Sequence, residues 1–162
     1  MTYANPEALV STEWLADHLQ APDVRVVDAT WYLPNDGRIG IDTFNEGHIP
    51  GAVFFDIDEI ADTSSDLPHM LPSPEKFSSR VRKLGLGDGL RIVVYDANGG
   101  SMAACRAWWM FRAFGHDDVA VLNGGLPKWL AEGQPLSDLP TQVQERDFTA
   151  RYNDFLVRNV DQ

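Results

Sequence analysis

Four short apolar runs punctuate the chain: "VRVVDA" (24–29), "VFF" (53–55), "RIVVY" (91–95) and "VAVL" (119–122). They are too short for helices, and their apolar residues run continuously instead of alternating. That pattern predicts strands covered on both faces. Between them the spacing changes to the helical period. Trp14, Leu15 and Leu19 share one side behind Ser11, a helix-capping residue type. Phe77, Val81 and Leu84 do so behind Ser73-Pro74, a cap followed by proline at the first helical position, and Gly85 ends that helix. A further helix is predicted from about Met102 to Phe114, stopped by Gly115, and a short one through Trp129, stopped by Gly133. Strand and helix in alternation predict an α/β fold with a mainly parallel central sheet and helices on both faces. Ligand sites in such sheets lie at the carboxyl ends of strands, so the loop after Tyr95 is the first candidate.

Toward the end the pattern fades. Residues 135–147 are polar and include Pro135 and Pro140. The expected organisation is a domain over residues 1–135, a linker over 136–155, and the start of a second, truncated domain over 156–162. "FLVRNVDQ" (155–162) reads as helical. "LVRNVDQ" also echoes "LVSTEWL" (9–15), with a Leu-Val pair ahead of a helix start in both, so the chain is expected to stop inside the first helix of a second, similar unit.

Composition narrows the function. The 162 residues are 44% hydrophobic, enough for a core without metal or disulfides. Thirteen basic and 24 acidic side chains leave a net charge of -11, which argues against nucleic acid or an anionic membrane as partner. One cysteine cannot form an intramolecular disulfide, so a reducing compartment fits. No basic stretch followed by an apolar run marks the first residues as a secretory signal, and no apolar stretch has membrane-spanning length. The expected setting is the cytoplasm.

The candidate chemistry centres on "VVYDANGGSMAACRAWWMF" (93–111). A reactive thiolate belongs in the turn before a helix, where backbone N–H groups and nearby cations lower its pKa. Cys105 lies about one turn too late, and its company with Met102, Trp108 and Trp109 predicts a buried, slow structural thiol. Asp96 takes the strand-end position. Its carboxylate can be held by the following turn, but it carries no sulfur and repels anions. Asp28, ending "VRVVD", is expected to be held near "GHIPG", by Arg38 or by backbone N–H groups, or else to be an exposed loop cap. His18, His48, His69 and His116 lack metal-like spacing and there is no CxxC, so neither metal nor cofactor is expected. His116, after a helix-ending glycine, can meet the last helical carbonyls.

"FNEGHIPGAVFFDID" (44–58), "MLPSPEKF", "VVYD", "RAWWMFRAFGH" and "VLNGGLPKWLAEG" together resemble the rhodanese family, specifically the amino-terminal half of tandem thiosulfate and 3-mercaptopyruvate sulfurtransferases. The resemblance implies a domain that keeps the frame of a persulfide loop, starting at Asp96, without its cysteine. The nucleophile would sit on a second domain, and the donor would be a small anionic sulfur compound. It places Trp31, Asp96, Gly100, Ser101, Met102 and Ala103 on the face toward that domain. It makes Asp28, Gly47, His48, Pro50, Gly51 and Arg106 structural motif residues. The chain alone is then expected to be inactive and to self-associate through the orphaned face. Two other readings remain: a stand-alone inactive docking or regulatory module, and a single-domain rhodanese using Cys105.

Overall fold

The computed structural model describes residues 3–99 and 102–162. Its five strands are β1 (Leu9–Val10), β2 (Val24–Asp28), β3 (Val53–Phe54), β4 (Arg91–Tyr95) and β5 (Val119–Leu122). They form one sheet in the order β1-β5-β4-β2-β3, with every pair parallel. The five helices are α1 (Thr12–His18), α2 (Gly40–Glu46), α3 (Pro74–Lys83), α4 (Ala103–Ala113) and α5 (Gly125–Ala131).

Alternate strand residues feed two cores. Val27, Ile92, Val94 and Val121 meet Phe77 and Val81 of α3 and Phe111 of α4. Val26, Val93, Ala120 and Leu122 meet Leu15 of α1, Phe44 of α2 and Trp129 of α5. Burial on both faces is why these runs read as continuously apolar. The caps also fall where the sequence places them: Ser11 accepts from the Trp14 N–H at 3.0 Å and Ser73 from the Lys76 N–H at 3.1 Å.

Two elements left no pattern to read. β1 is two residues long and is defined only by its pairing with β5. α2 opens on glycine, has no side-chain cap, and buries only Phe44.

The polar stretch after Pro135 is fastened to the domain. His48 and Ser137 exchange backbone bonds of 2.9 and 2.8 Å, and Thr141 donates to the Ala52 carbonyl at 2.6 Å. Phe148 is buried among Phe77, Phe111 and His116. The Arg151 and Asn153 N–H groups reach the Phe114 and Ala113 carbonyls at 2.8 and 2.7 Å, and the Trp109 indole reaches the Leu156 carbonyl at 2.8 Å. This strap satisfies itself on its neighbours, so it needs no periodic pattern of its own. The helical reading of residues 155–162 does not hold. One 3-10 turn, Asp154–Leu156, is followed by no helix. His116 does meet a last-turn carbonyl of α4, but through its backbone: its N–H donates to the Phe111 carbonyl at 2.8 Å, while its buried ring contacts the Leu90 carbonyl at 2.9 Å. No helix among the described residues is long and apolar enough to cross a membrane.

Candidate functional site

Strand order locates the site. From β2 the chain moves outward to β3 on one side, and from β4 outward to β5 on the other. The reversal lies between the neighbours β2 and β4, whose last residues Asp28 and Tyr95 are in register. Sheets of this kind bind ligands near such a reversal, and here the loops that follow the two strands are bonded together, the Ala97 N–H donating to Thr30 Oγ1 at 3.0 Å.

Beneath these loops is a buried polar network. Asp28, 2% exposed, accepts from the Thr30 N–H at 2.8 Å and from the Tyr95 hydroxyl. That hydroxyl accepts from the Ile49 N–H at 3.1 Å. So Asp28 is tied to the "GHIPG" turn through Tyr95. Arg38 plays no part, since it pairs with Asp36 at 2.6 Å and lies over the Tyr32 ring. In the turn itself, Pro50 and Gly51 are the central residues of an Ile49–Ala52 bond of 2.9 Å, and Gly51 has the positive φ of 83° that favours glycine there. His48 is buried against Phe44 and faces the Leu139 carbonyl at 2.9 Å, clipping the strap to this motif. At Gly47 a side chain would crowd Leu136 of the strap.

Burial pushes the Asp28 carboxyl above its ordinary value, and the Asp96 charge adds to this. A raised carboxyl binds its proton more tightly folded than unfolded, so stability falls as pH rises from about 4 through the folded value. Asp28→Asn should remove that fall. Chemical denaturation between pH 4 and 7 would measure it, and equal slopes for both proteins would refute the assignment.

Asp96, which the resemblance places on the interdomain face, is fully buried. Its two oxygens accept from the Asn98 and Ala104 N–H groups, each at 2.9 Å, pulling the carboxylate inward. Its carbonyl accepts from the Leu126 N–H at 3.0 Å, and Gly125, at φ 56°, allows the approach: a side chain there would collide with the Asp96 carbonyl and with Gly99. Gly100 and Ser101 lie outside the described residues.

Beside this loop is a shallow cavity of about 320 Å³ lined by Trp31, Ile57, His69, Met102, Ala103 and Arg106. Trp31 and Met102 thus line one cavity. Met102 is half exposed, and Ala103, nearly covered, lies in the floor. The Trp31 indole donates to Asp58 at 3.1 Å, and its ring meets His69 edge-on at 4.9 Å. His69 Nε2 contacts the same Asp58 carboxylate at 2.6 Å. An imidazole on a carboxylate at a cavity wall can hold or pass a proton to an entering group. Neither Asp58 nor His69 was singled out from the sequence. They lie eleven residues apart in irregular chain, with no spacing signal. A larger cavity of about 460 Å³ lies under the strap, but its Arg25 is occupied by the Pro22 and Val24 carbonyls.

Cys105 is exposed, not buried. α4 turns Ala104, Ala107, Met110 and Phe111 to the core, and position 105 falls on the other side. Partial burial, then the Asp96 charge, push its thiol up, away from a reactive thiolate. We expect a thiol reagent to modify the native protein to completion, but slowly at neutral pH and faster as pH rises. Rapid labelling at pH 6 would contradict this.

The family model described as "Rhodanese-like domain" matches residues 11–132. The chain belongs to the rhodanese-like family. Human 3-mercaptopyruvate sulfurtransferase is 43% identical over 159 residues, covering 95% of this chain and 54% of its own. Rat thiosulfate sulfurtransferase is 44% identical over 160 residues, covering 96% and 54%. Among solved structures, a 3-mercaptopyruvate sulfotransferase from Escherichia coli superposes with a TM-score of 0.90 at 39% identity, over 95% of this chain and 59% of that one. This rhodanese-like chain thus spans about half the length of these relatives.

Proposed function

We propose that the chain is the non-catalytic amino-terminal domain of a two-domain sulfurtransferase. That enzyme moves sulfane sulfur from 3-mercaptopyruvate or thiosulfate to a thiophilic acceptor through a cysteine persulfide on a second domain. The observation that carries this reading is Asp96. Where a nucleophilic thiolate needs the turn's N–H donors, a carboxylate already accepts two of them. With Asp28 it also sets two buried acids at the strand ends, a poor setting for an anionic donor. The half-length match to tandem relatives supports a missing partner domain. The wall of Trp31, Met102 and His69 is the surface we assign to it, and a single cysteine suits a reducing compartment such as the cytoplasm.

Sulfur transfer needs a group that attacks the donor and holds the sulfur. Incubated with thiosulfate or 3-mercaptopyruvate, the chain alone should convert no cyanide to thiocyanate and gain no sulfur mass. Cys105 is the one alternative carrier, and its exposure makes the control necessary. Turnover that Cys105→Ser abolishes would replace this reading with a single-domain enzyme.

A further inference from the structure

We propose that Arg106 is the positioning residue of the Trp31 cavity: it clamps the His69 backbone in a left-handed conformation and so fixes where the imidazole is presented. His69 is the single non-glycine residue with positive φ, 56°, among the described residues. A histidine holds that conformation only when its surroundings impose it. Arg106 supplies the restraint, donating from Nη2 to the His69 carbonyl across a sequence separation of 37 residues. Among the described residues its guanidinium makes no other hydrogen bond. It has no carboxylate within ion-pair distance among the described residues, its Nε is buried without a partner, and it lies over the Trp109 ring at 4.9 Å. A half-buried arginine that gives up carboxylate pairing for one loop carbonyl is placed for that carbonyl.

The consequence runs along the wall. With its backbone held, His69 meets Asp58 at 2.6 Å and the edge of Trp31 at 4.9 Å, and Trp31 bonds the same carboxylate. Arg106, on rigid α4, thereby sets the geometry of three side chains on irregular chain. That this geometry serves a partner's sulfur chemistry rests on the function proposed above; the clamp itself does not.

The test uses the whole chain. Arg106→Met is made in wild type, in His69→Ala, which keeps the backbone restriction, and in His69→Gly, which removes it. Thermal unfolding should show a smaller fall in Tm from Arg106→Met in the His69→Ala background, where the released backbone sheds its strain, than in His69→Gly, which has none to shed. In the folded Arg106→Met protein the Trp31 indole N–H resonance, assigned by its loss in Trp31→Phe, should move from its wild-type position. Arg112→Met, which removes the matching Arg–Trp stack on Trp108 without touching His69, should leave it in place. If Arg106→Met does not fold, Arg106→Lys is read in the same way. Equal falls in both backgrounds, or an unmoved Trp31 resonance, would overturn the clamp. Neither readout depends on sulfur transfer, so its failure is distinct from failure of the functional reading.

Discussion

Phe148→Ala should cost about 3–5 kcal/mol of folding stability, although the residue lies outside the matched family region and in a stretch that reads as a linker. The ring is 5% exposed and fills the end of one core, with centroids 5.5 Å from Phe77 and 5.7 Å from His116. Its backbone is pinned on either side. Ser78 donates to its carbonyl at 2.8 Å, and the Thr149 hydroxyl bonds Asp88 at 2.6 Å. Deleting the ring leaves a cavity that these anchors prevent from collapsing. Leu139→Ala, on the same strap but 70% exposed, should change stability by less than about 0.5 kcal/mol. Urea unfolding of the two variants decides the matter. A Phe148→Ala protein within about 1 kcal/mol of wild type would mean that the strap lies on a finished domain instead of completing it. If the strap completes the fold, a chain cut after residue 132 should fail to give a cooperative transition.

Asp96→Ala should be the second large loss, at about 1–3 kcal/mol, the cost of one buried donor left without an acceptor. The buried Ala104 N–H, 2.9 Å from the carboxylate, would lose this acceptor, while the part-buried Asn98 N–H, also at 2.9 Å, can turn to water. Asp96→Asn retains one acceptor oxygen and should lose roughly half as much. The effect belongs to stability and loop order. Hydrogen exchange should show the Ala104 amide, at the start of α4, losing protection in Asp96→Ala while Phe77 in α3 follows only the global change. Unchanged stability in Asp96→Ala would remove the structural role on which the functional reading stands.

Much of the site's frame was legible in advance. Asp96 was found by position alone, at the end of a strand and ahead of a glycine turn, and the absence of a thiol there is a fact of sequence. Its burial was not legible, because that depends on which N–H groups the folded loop turns inward. Cys105 failed for a related reason. Its neighbours in sequence are apolar, but exposure follows from the angle at which α4 meets the sheet, and a single-residue offset separates core from solvent. For Asp28 the sequence leaves a partnered buried acid and an exposed loop cap both open; burial decides between them, with one partner from Thr30 nearby and one, Tyr95, brought by strand register.

What the sequence by itself determined is the alternation of strands and helices, their caps, and the lack of a nucleophile at the end of β4. These depend on local periodicity and on residue identity, both of which survive without a fold. The tertiary structure decided the rest: the meeting of the β2 and β4 ends, the strap drawn into the core by Phe148, and the cavity where Trp31, His69 and Arg106 meet. Each brings together residues far apart in the chain through contacts that have no sequence period, so only the packing of one element on another could specify them.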